Sequence, residues 1–165
     1  MSNPGGPAAV ALLDGRPIAQ IGILVEDLDR AIDAHAAVAA RDRWHVVEPS
    51  GPRRGDHRYR GAPAEFRARL AFSLSSPEVE LIQPLSVPSI YGEWITAHGH
   101  GIHHLAVIVD SVHEAMESMA GAGFATLQSA VRYGSAGDGG HAYFDTEHAL
   151  GYVLEAIEHP SSVSQ

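Results

Sequence analysis

The sequence lacks two residue types altogether. It has no cysteine, which excludes disulfides, thiolate metal ligands and a cysteine nucleophile. It has no lysine either, because all 11 basic residues are arginine, and this excludes a Schiff-base lysine and a P-loop lysine. The groups left for polar chemistry are chiefly 11 histidines and 20 acidic residues, which are ligand types for a divalent metal ion.

Positive charge and long apolar runs are also scarce. The formal net charge is -9, and an acidic surface repels a phosphate backbone, so we expect no nucleic-acid partner. No apolar run approaches the roughly 18 residues of a spanning helix, so we expect no membrane partner. No basic segment precedes the short apolar stretch 8–13, and a cytoplasmic protein is the default expectation.

The length of 165 residues suits one domain, and a hydrophobic content of 45% suffices for a core. The termini lack periodicity, and we interpret 1–16 as a mobile N-terminal tail and 159–165 as a C-terminal tail. Between them, the pattern predicts a first module over 17–90, a linker over 91–100 and a second module over 101–158.

Each module is predicted to contain a strand, a helix and three further strands. In the first module, the apolar strand 18–25 precedes a helix capped by Asp27. Strands near 44–47, 69–73 and 78–85 follow, and a loop rich in Pro, Gly and Arg occupies 48–66. In the second module, strand 101–109 precedes a helix that begins at the Ser111 capping box, and strands near 126–133, 141–145 and 151–157 follow.

The two modules align as an internal repeat. The segment 20–25 matches 104–109 at an offset of 84 (104 minus 20), and the helix caps align without a gap. The segment 79–82 matches 154–157 at an offset of 75 (154 minus 79), so the first copy carries nine extra residues (84 minus 75). We predict an α+β fold in which two βαβββ modules pair into a curled sheet around a metal-binding cavity.

The repeat selects four polar residues in otherwise apolar strands. Gln20 is equivalent to His104, and Glu80 is equivalent to Glu155. A buried carboxylate needs a cation or hydrogen bonds, and this donor set suits one divalent ion of Zn, Co, Mn, Ni or Fe. The alternative is that these residues are polar strand residues held by an arginine or by backbone donors.

At these positions the sequence resembles the vicinal oxygen chelate superfamily, which includes glyoxalase I, methylmalonyl-CoA epimerase, extradiol dioxygenases and bleomycin-resistance proteins. The segments 101–106 and 143–147, the latter followed by Gly151, look most like the epimerase branch. The four positions, in contrast, read Gln, Glu, His and Glu, which is similar to the glyoxalase I pattern. The resemblance implies the paired fold, a homodimer, and a metal held by Gln20, Glu80, His104 and Glu155.

The resemblance also implies how the site would act. A divalent ion stabilises an enolate as a Lewis acid, and a carboxylate removes the adjacent proton. By resemblance, Glu155 is the base, and Glu80 or Glu48 returns the proton. We expect His103, the neighbour of His104, to face the other side of its strand.

Candidate substrate-binding residues come from two places. His141 and Tyr143 lie in a predicted strand that could line the cavity. Six of the 11 arginines lie between positions 53 and 69, and arginine guanidinium groups bind carboxylates and phosphates. The alternative is a solvated loop paired with the acidic surface. The arginine candidates are Arg53, Arg54, Arg58 and Arg60.

The function we predict is a metal-dependent isomerase or epimerase that acts through an enolate. Its substrate would be a small carbonyl compound, an anionic compound or an acyl-CoA thioester. A glyoxalase-type lyase acting on a thiol adduct is one alternative. A ligand-binding protein of the same fold without catalytic activity is the other.

Overall fold

A computed structural model describes residues 12–40, 42–48 and 55–161. The strands, in chain order, are β1 (Gln20–Leu24), β2 (Trp44–Val47), β3 (Asp56–Tyr59), β4 (Ala62–Pro63), β5 (Ala68–Ser73), β6 (Glu78–Pro84), β7 (Gly101–Ile108), β8 (Thr126–Tyr133), β9 (Gly139–Phe144) and β10 (Val153–Glu158). The helices are α1 (Leu28–Ala39), α2 (Ile90–His98), α3 (Val112–Gly121) and α4 (Glu147–Leu150). In these ranges, no helix is long and apolar enough to cross a membrane.

All ten strands belong to one curled, unclosed sheet of order β2-β5-β6-β1-β7-β10-β9-β8-β3-β4. The first module supplies β2-β5-β6-β1, and the second supplies the matching unit β7-β10-β9-β8. Within each unit the first and last strands pair in parallel, β1 with β6 and β7 with β10. The two units join through the antiparallel pair β1 and β7. The predicted α+β fold of two βαβββ modules is therefore confirmed.

The two predicted helix caps are present. The side chain of Asp27 accepts a hydrogen bond from the backbone N–H of Arg30 at 3.0 Å, which starts α1. The hydroxyl of Ser111 accepts one from the N–H of Glu114 at 3.2 Å, which starts α3. Helix α1 packs on β5 and β6, and α3 packs on β8, β9 and β10, so each helix covers its own module's sheet.

The segment 48–66 is not the simple loop that the sequence predicts. Strands β3 and β4 form a hairpin, and β3 pairs with β8 of the second module. The insertion of the first module thus extends the sheet of the second. The local sequence pattern does not predict β3, because the strand with which it forms hydrogen bonds lies about seventy residues away in the chain (128 minus 59 is 69).

The predicted linker, 91–100, consists mostly of helix α2. Ser89 caps this helix by accepting a hydrogen bond from the N–H of Gly92 at 3.2 Å. Ile90 and Tyr91 are buried in a cluster with residues of both modules, among them Phe66 and Tyr143. The segment between the modules therefore forms part of the core.

The predicted tails lie largely outside the described residues, which exclude 1–11 and 162–165. Within the N-terminal segment, Leu12 is buried and packs into the core of the second module. Leu12, which falls within the predicted tail 1–16, is therefore part of the core.

Candidate metal centre and cavity

The four ligands predicted from the repeat lie on four neighbouring strands at the centre of the sheet. Glu80 lies on β6, Gln20 on β1, His104 on β7 and Glu155 on β10. All four are buried, and His104 has no exposed surface at all. The pairing of the two units thus brings equivalent positions of the repeat to one place.

The side chains of these residues converge on one nitrogen. His104 Nε2 lies 3.1 Å from Glu155 Oε2, 3.3 Å from Glu80 Oε2 and 3.4 Å from Gln20 Oε1. A ring nitrogen carries at most one proton, so it cannot satisfy three oxygen atoms. Glu155 Oε2 is accordingly buried without a hydrogen-bond partner. A cation placed among these atoms would satisfy all of them.

The electrostatics of the cluster reflect two buried carboxylates around one imidazole. Burial raises the pKa of Glu80, with His104 opposing the shift. Burial acts to lower the pKa of His104, but the carboxylates of Glu155 and Glu80 outweigh it and raise that pKa to about 9. Without a metal ion, a protonated His104 therefore balances part of the negative charge.

The donor set fits a divalent metal ion. Ligand atoms of Glu80, His104 and Glu155 all lie within 4.8 Å of one another, and Gln20 adds an amide oxygen. Two carboxylates, one imidazole and one amide oxygen suit a borderline-to-hard divalent ion. The unsatisfied Glu155 oxygen is the observation in this chain that indicates such an ion.

Gly22 makes room for the ring of His104. It is the strand partner of both Glu80 and His104, so it lies between two of the predicted ligands in the sheet. A Cβ atom at this position would lie 1.9 Å from Cε1 of the His104 ring. The repeat does not select Gly22, although a glycine inside a strand often marks such a close approach.

Glu78 orients the side-chain amide of Gln20. It accepts a hydrogen bond from Gln20 Nε2 at 2.7 Å, which leaves Gln20 Oε1 facing His104. Glu78 is partly buried, and burial raises its pKa. The repeat does not select Glu78, because the equivalent position in the second module is not polar.

The prediction that His103 faces away from the site is wrong. The register of β1 and β7 shifts between Gly22 and Ile23, which pair with His104 and Ile102, so His103 is the extra residue of a β-bulge. The bulge places His103 Nδ1 only 2.9 Å from His104 Nδ1. Burial, with the neighbouring His104, lowers the pKa of His103 to about 2.

A cavity of about 790 Å³ adjoins the cluster, and Gln20, Glu80 and Glu155 line it. Glu78, His141 and Tyr143 also line it. The volume is sufficient for a drug-sized ligand. The two predicted substrate-binding residues on β9 are thus positioned at this cavity.

Two of the four predicted arginine candidates, Arg58 and Arg60, have their partners outside the cavity. Arg58 contacts Asp56 at 3.4 Å, and Arg60 contacts Glu93 at 2.7 Å. Neither arginine lines the cavity. Arg58 also donates a hydrogen bond to the carbonyl of Gly61 in the β3–β4 turn, and the partner of Arg60 lies on α2. Arg53 and Arg54 lie outside the described residues. Arg67, which was not selected from the sequence, lines the cavity instead.

Glu48, the predicted alternative for proton return, lines the cavity but is held in an ion pair. Its carboxylate lies 2.8 Å from Arg69, which also contacts Asp29 at 3.1 Å. The guanidinium of Arg69 lowers the pKa of Asp29. Glu48 therefore lines the cavity but does not belong to the cluster of Glu80, His104 and Glu155.

The comparisons with known proteins agree with this fold. The model of the Glyoxalase/Bleomycin resistance protein/Dioxygenase superfamily matches residues 19–144. A hypothetical protein of Bacillus halodurans has a TM-score of 0.63 at 19% identity, covering 92% of this chain and 100% of its own. Methylmalonyl-CoA epimerase of Streptomyces coelicolor, bound to 2-nitronate-propionyl-CoA, has a TM-score of 0.63 at 21% identity, covering 90% and 97%. The epimerase of Mycobacterium tuberculosis has a TM-score of 0.58 at 21% identity, covering 87% of each chain.

The chain belongs to the Glyoxalase/Bleomycin resistance protein/Dioxygenase superfamily, because the family model covers most of its length. No curated protein matches the chain. The solved structures are similar in fold, and several of them are methylmalonyl-CoA epimerases.

We expect the purified protein to bind about one divalent ion per chain and to release about one proton on binding at pH 7–8. Ligation requires a neutral imidazole, whereas His104 of the metal-free protein has a pKa of about 9 and is protonated in this range. The apparent dissociation constant should therefore tighten about tenfold per pH unit from pH 7 to pH 9 and level off above that.

Titration calorimetry with zinc, in buffers of different ionisation enthalpy, measures the proton count. A His104→Leu variant should neither bind nor release a proton, and the exposed His113→Leu variant is the control. An affinity that does not change between pH 7 and pH 9 would contradict this assignment of His104.

Proposed function

We propose that the protein is a metal-dependent isomerase or epimerase that acts through an enolate on a small carbonyl compound or an acyl-CoA thioester. The observation that carries the proposal is the buried cluster of Glu80, His104 and Glu155, whose two carboxylates line a cavity of about 790 Å³. Two buried carboxylates at the end of an open cavity combine a cation site with a base.

The metal ion, held by Gln20, Glu80, His104 and Glu155, would supply Lewis-acid stabilisation of negative charge on a substrate oxygen. Glu155 takes the proton from the carbon next to the carbonyl group, and the C–H electrons move into the enolate. Its carboxylate is suited to this step because it is buried in the cluster and lines the cavity that would hold the substrate. Tyr143 lines the cavity beside His104, and its burial keeps the hydroxyl protonated by raising its pKa well above the ordinary value.

Donation of a proton to carbon completes the reaction, and Glu80 is favoured over Glu48 as the donor. Glu155 then releases the abstracted proton to solvent, and Glu80 regains a proton from solvent. Glu80 is buried in the cluster and lines the cavity, so it can reach a substrate held there. Glu48, in contrast, is more than half exposed and lies 2.8 Å from Arg69. The proton returns from the other face in an epimerase, or at a neighbouring atom in an isomerase.

Two observations extend the proposal to the substrate. One structural neighbour is a methylmalonyl-CoA epimerase in complex with methylmalonyl-CoA and ammonium, with a TM-score of 0.61 at 19% identity. Arg67 is the described arginine at the cavity, where an anionic group of the substrate would be neutralised. Homodimerisation and a cytoplasmic location, as the family resemblance and the composition imply, are part of the same proposal.

A glyoxalase-type lyase is the second candidate, because Gln20, Glu80, His104 and Glu155 reproduce the glyoxalase I ligand pattern. A ligand-binding protein without chemistry is the third. The same enolate chemistry serves the first two candidates, so they differ in substrate rather than in ligand set.

Deuterium exchange from solvent tests the proposal. The metal-loaded protein should incorporate deuterium at the carbon beside the carbonyl group of methylmalonyl-CoA, and the metal-free protein should not. Turnover of a thiol adduct without exchange into the thioester would favour the lyase. Tight binding of either compound with no exchange and no turnover would leave only the binding protein.

A further inference from the structure

Two consecutive histidines of β7 meet through the same ring atom. His103 Nδ1 and His104 Nδ1 are 2.9 Å apart, and their ring planes are nearly perpendicular at 89°. Both rings are buried, with exposures of 1% and 0%. Adjacent strand residues ordinarily point to opposite faces, and the bulge at His103 is what brings these rings together.

The contact requires one proton between the two nitrogens, and the direction of the hydrogen bond has two alternatives. If His104 donates, its Nδ1 carries the proton, and its Nε2 has a free lone pair facing the carboxylates and Gln20. If His103 donates, neutral His104 carries its proton on Nε2, which then points at Glu80 and Glu155. Only the first arrangement leaves Nε2 available to a metal ion.

We propose that His103 is a positioning residue that accepts the Nδ1 proton of His104 and thereby holds His104 in its metal-binding tautomer. The inference rests on the metal site of the proposed function. Metal-binding histidines ordinarily donate their second nitrogen to a carboxylate, a backbone carbonyl or water. Here a second imidazole takes that place.

The environment of His103 supports the acceptor role. Its Nε2 atom is buried and has no hydrogen-bond partner, so no polar group competes for the orientation of the ring. The ring packs edge-on against Tyr91 and Trp94 of α2, at centroid distances of 5.5 and 5.1 Å. A neutral His103 that accepts at Nδ1 carries its own proton at Nε2, in this aromatic enclosure. Helix α2 therefore packs against His103, the residue that contacts His104.

The wild-type protein loaded with zinc, which is diamagnetic, gives the direct test. Nitrogen-15 NMR of labelled histidine should show a proton on Nδ1 of His104. That proton should show a scalar coupling across the hydrogen bond to Nδ1 of His103. A proton found on His103 Nδ1, or two histidines with no coupling between them in the zinc-loaded protein, would overturn the inference.

Two substitutions at His103 separate an acceptor role from a packing role. His103→Asn keeps an oxygen near the position of Nδ1, whereas His103→Leu keeps the bulk without an acceptor. The leucine variant should bind zinc about 10- to 100-fold more weakly, and the asparagine variant should recover most of this loss. Equal affinity of the two variants, whether weakened or unchanged, would contradict the role of the hydrogen bond.

These measurements do not depend on turnover, and the NMR experiment remains decisive if the leucine variant fails to fold. The exposed His113→Leu variant is the matched control for loss of a histidine. A protein that shows the expected coupling but no deuterium exchange would overturn the proposed function and leave the inference standing. Deuterium exchange with the opposite tautomer would do the reverse.

Discussion

Replacement of Glu155 by glutamine is expected to slow deuterium exchange into a thioester substrate by about 100- to 10,000-fold, the range that a positioned general base contributes. The amide is close in size to the carboxylate but cannot accept the proton. The loss should persist at saturating metal, which separates the base from the ligand role of the same residue. Metal content is measured on the same samples.

Substitution of the two carboxylates of the cluster is expected to affect deuterium exchange differently. A Glu80→Gln variant retains the base, so it should still exchange the proton of the isomer whose C–H faces Glu155, while inversion is lost. Glu117→Gln, on the exposed face of α3, is the control and should match the wild type. Equal exchange in Glu155→Gln and the wild type would remove Glu155 as the base.

Replacement of Gly22 by alanine is expected to remove the metal site without changing any ligand. The added Cβ would lie 1.9 Å from the His104 ring, which is far inside van der Waals contact, and His104 is fully buried. Metal affinity should fall by at least about 100-fold, because a ligand itself is displaced. Overpacking of this kind costs about 1–3 kcal/mol of folding free energy.

Gly121 offers a matched control. It is the last residue of α3, and a Cβ atom there meets nothing within 4 Å. Gly121→Ala should keep the wild-type metal affinity and leave stability unchanged or slightly raised. Calorimetric metal titration and thermal unfolding of both variants make the comparison. Wild-type metal affinity in Gly22→Ala would show that the His104 ring is not confined as the structure places it.

The repeat accounts for most of what could be predicted. Buried strands are apolar, and a polar residue that interrupts an apolar strand at equivalent positions in both modules implies a shared reason for burying it. That reasoning selected Gln20, Glu80, His104 and Glu155, and the structure brings these four together. The same reasoning could not select Glu78, because the equivalent position in the second module is Val153. It could not select Gly22, because glycine is not polar.

The insertion in the first module shows where local patterning fails. The segment 56–59 is polar and short, and its strand conformation depends on hydrogen bonds from the edge of β8. The position of β3 in turn directs Arg58 and Arg60 toward Asp56 and Glu93 rather than toward the cavity. Arginine density in the sequence is therefore a poor guide to which guanidinium faces the cavity.

The sequence by itself determined the chemistry that is available and the positions that share it. Without cysteine or lysine, buried polar chemistry is left chiefly to histidine and carboxylates. The repeat then indicates which of these residues occupy equivalent positions in the two modules. Only the tertiary structure decided how those groups are oriented. The bulge that turns His103 toward His104, and the space that Gly22 leaves for the His104 ring, depend on the register between β1 and β7. Register is a property of two strands about eighty residues apart, so no local pattern in either strand specifies it.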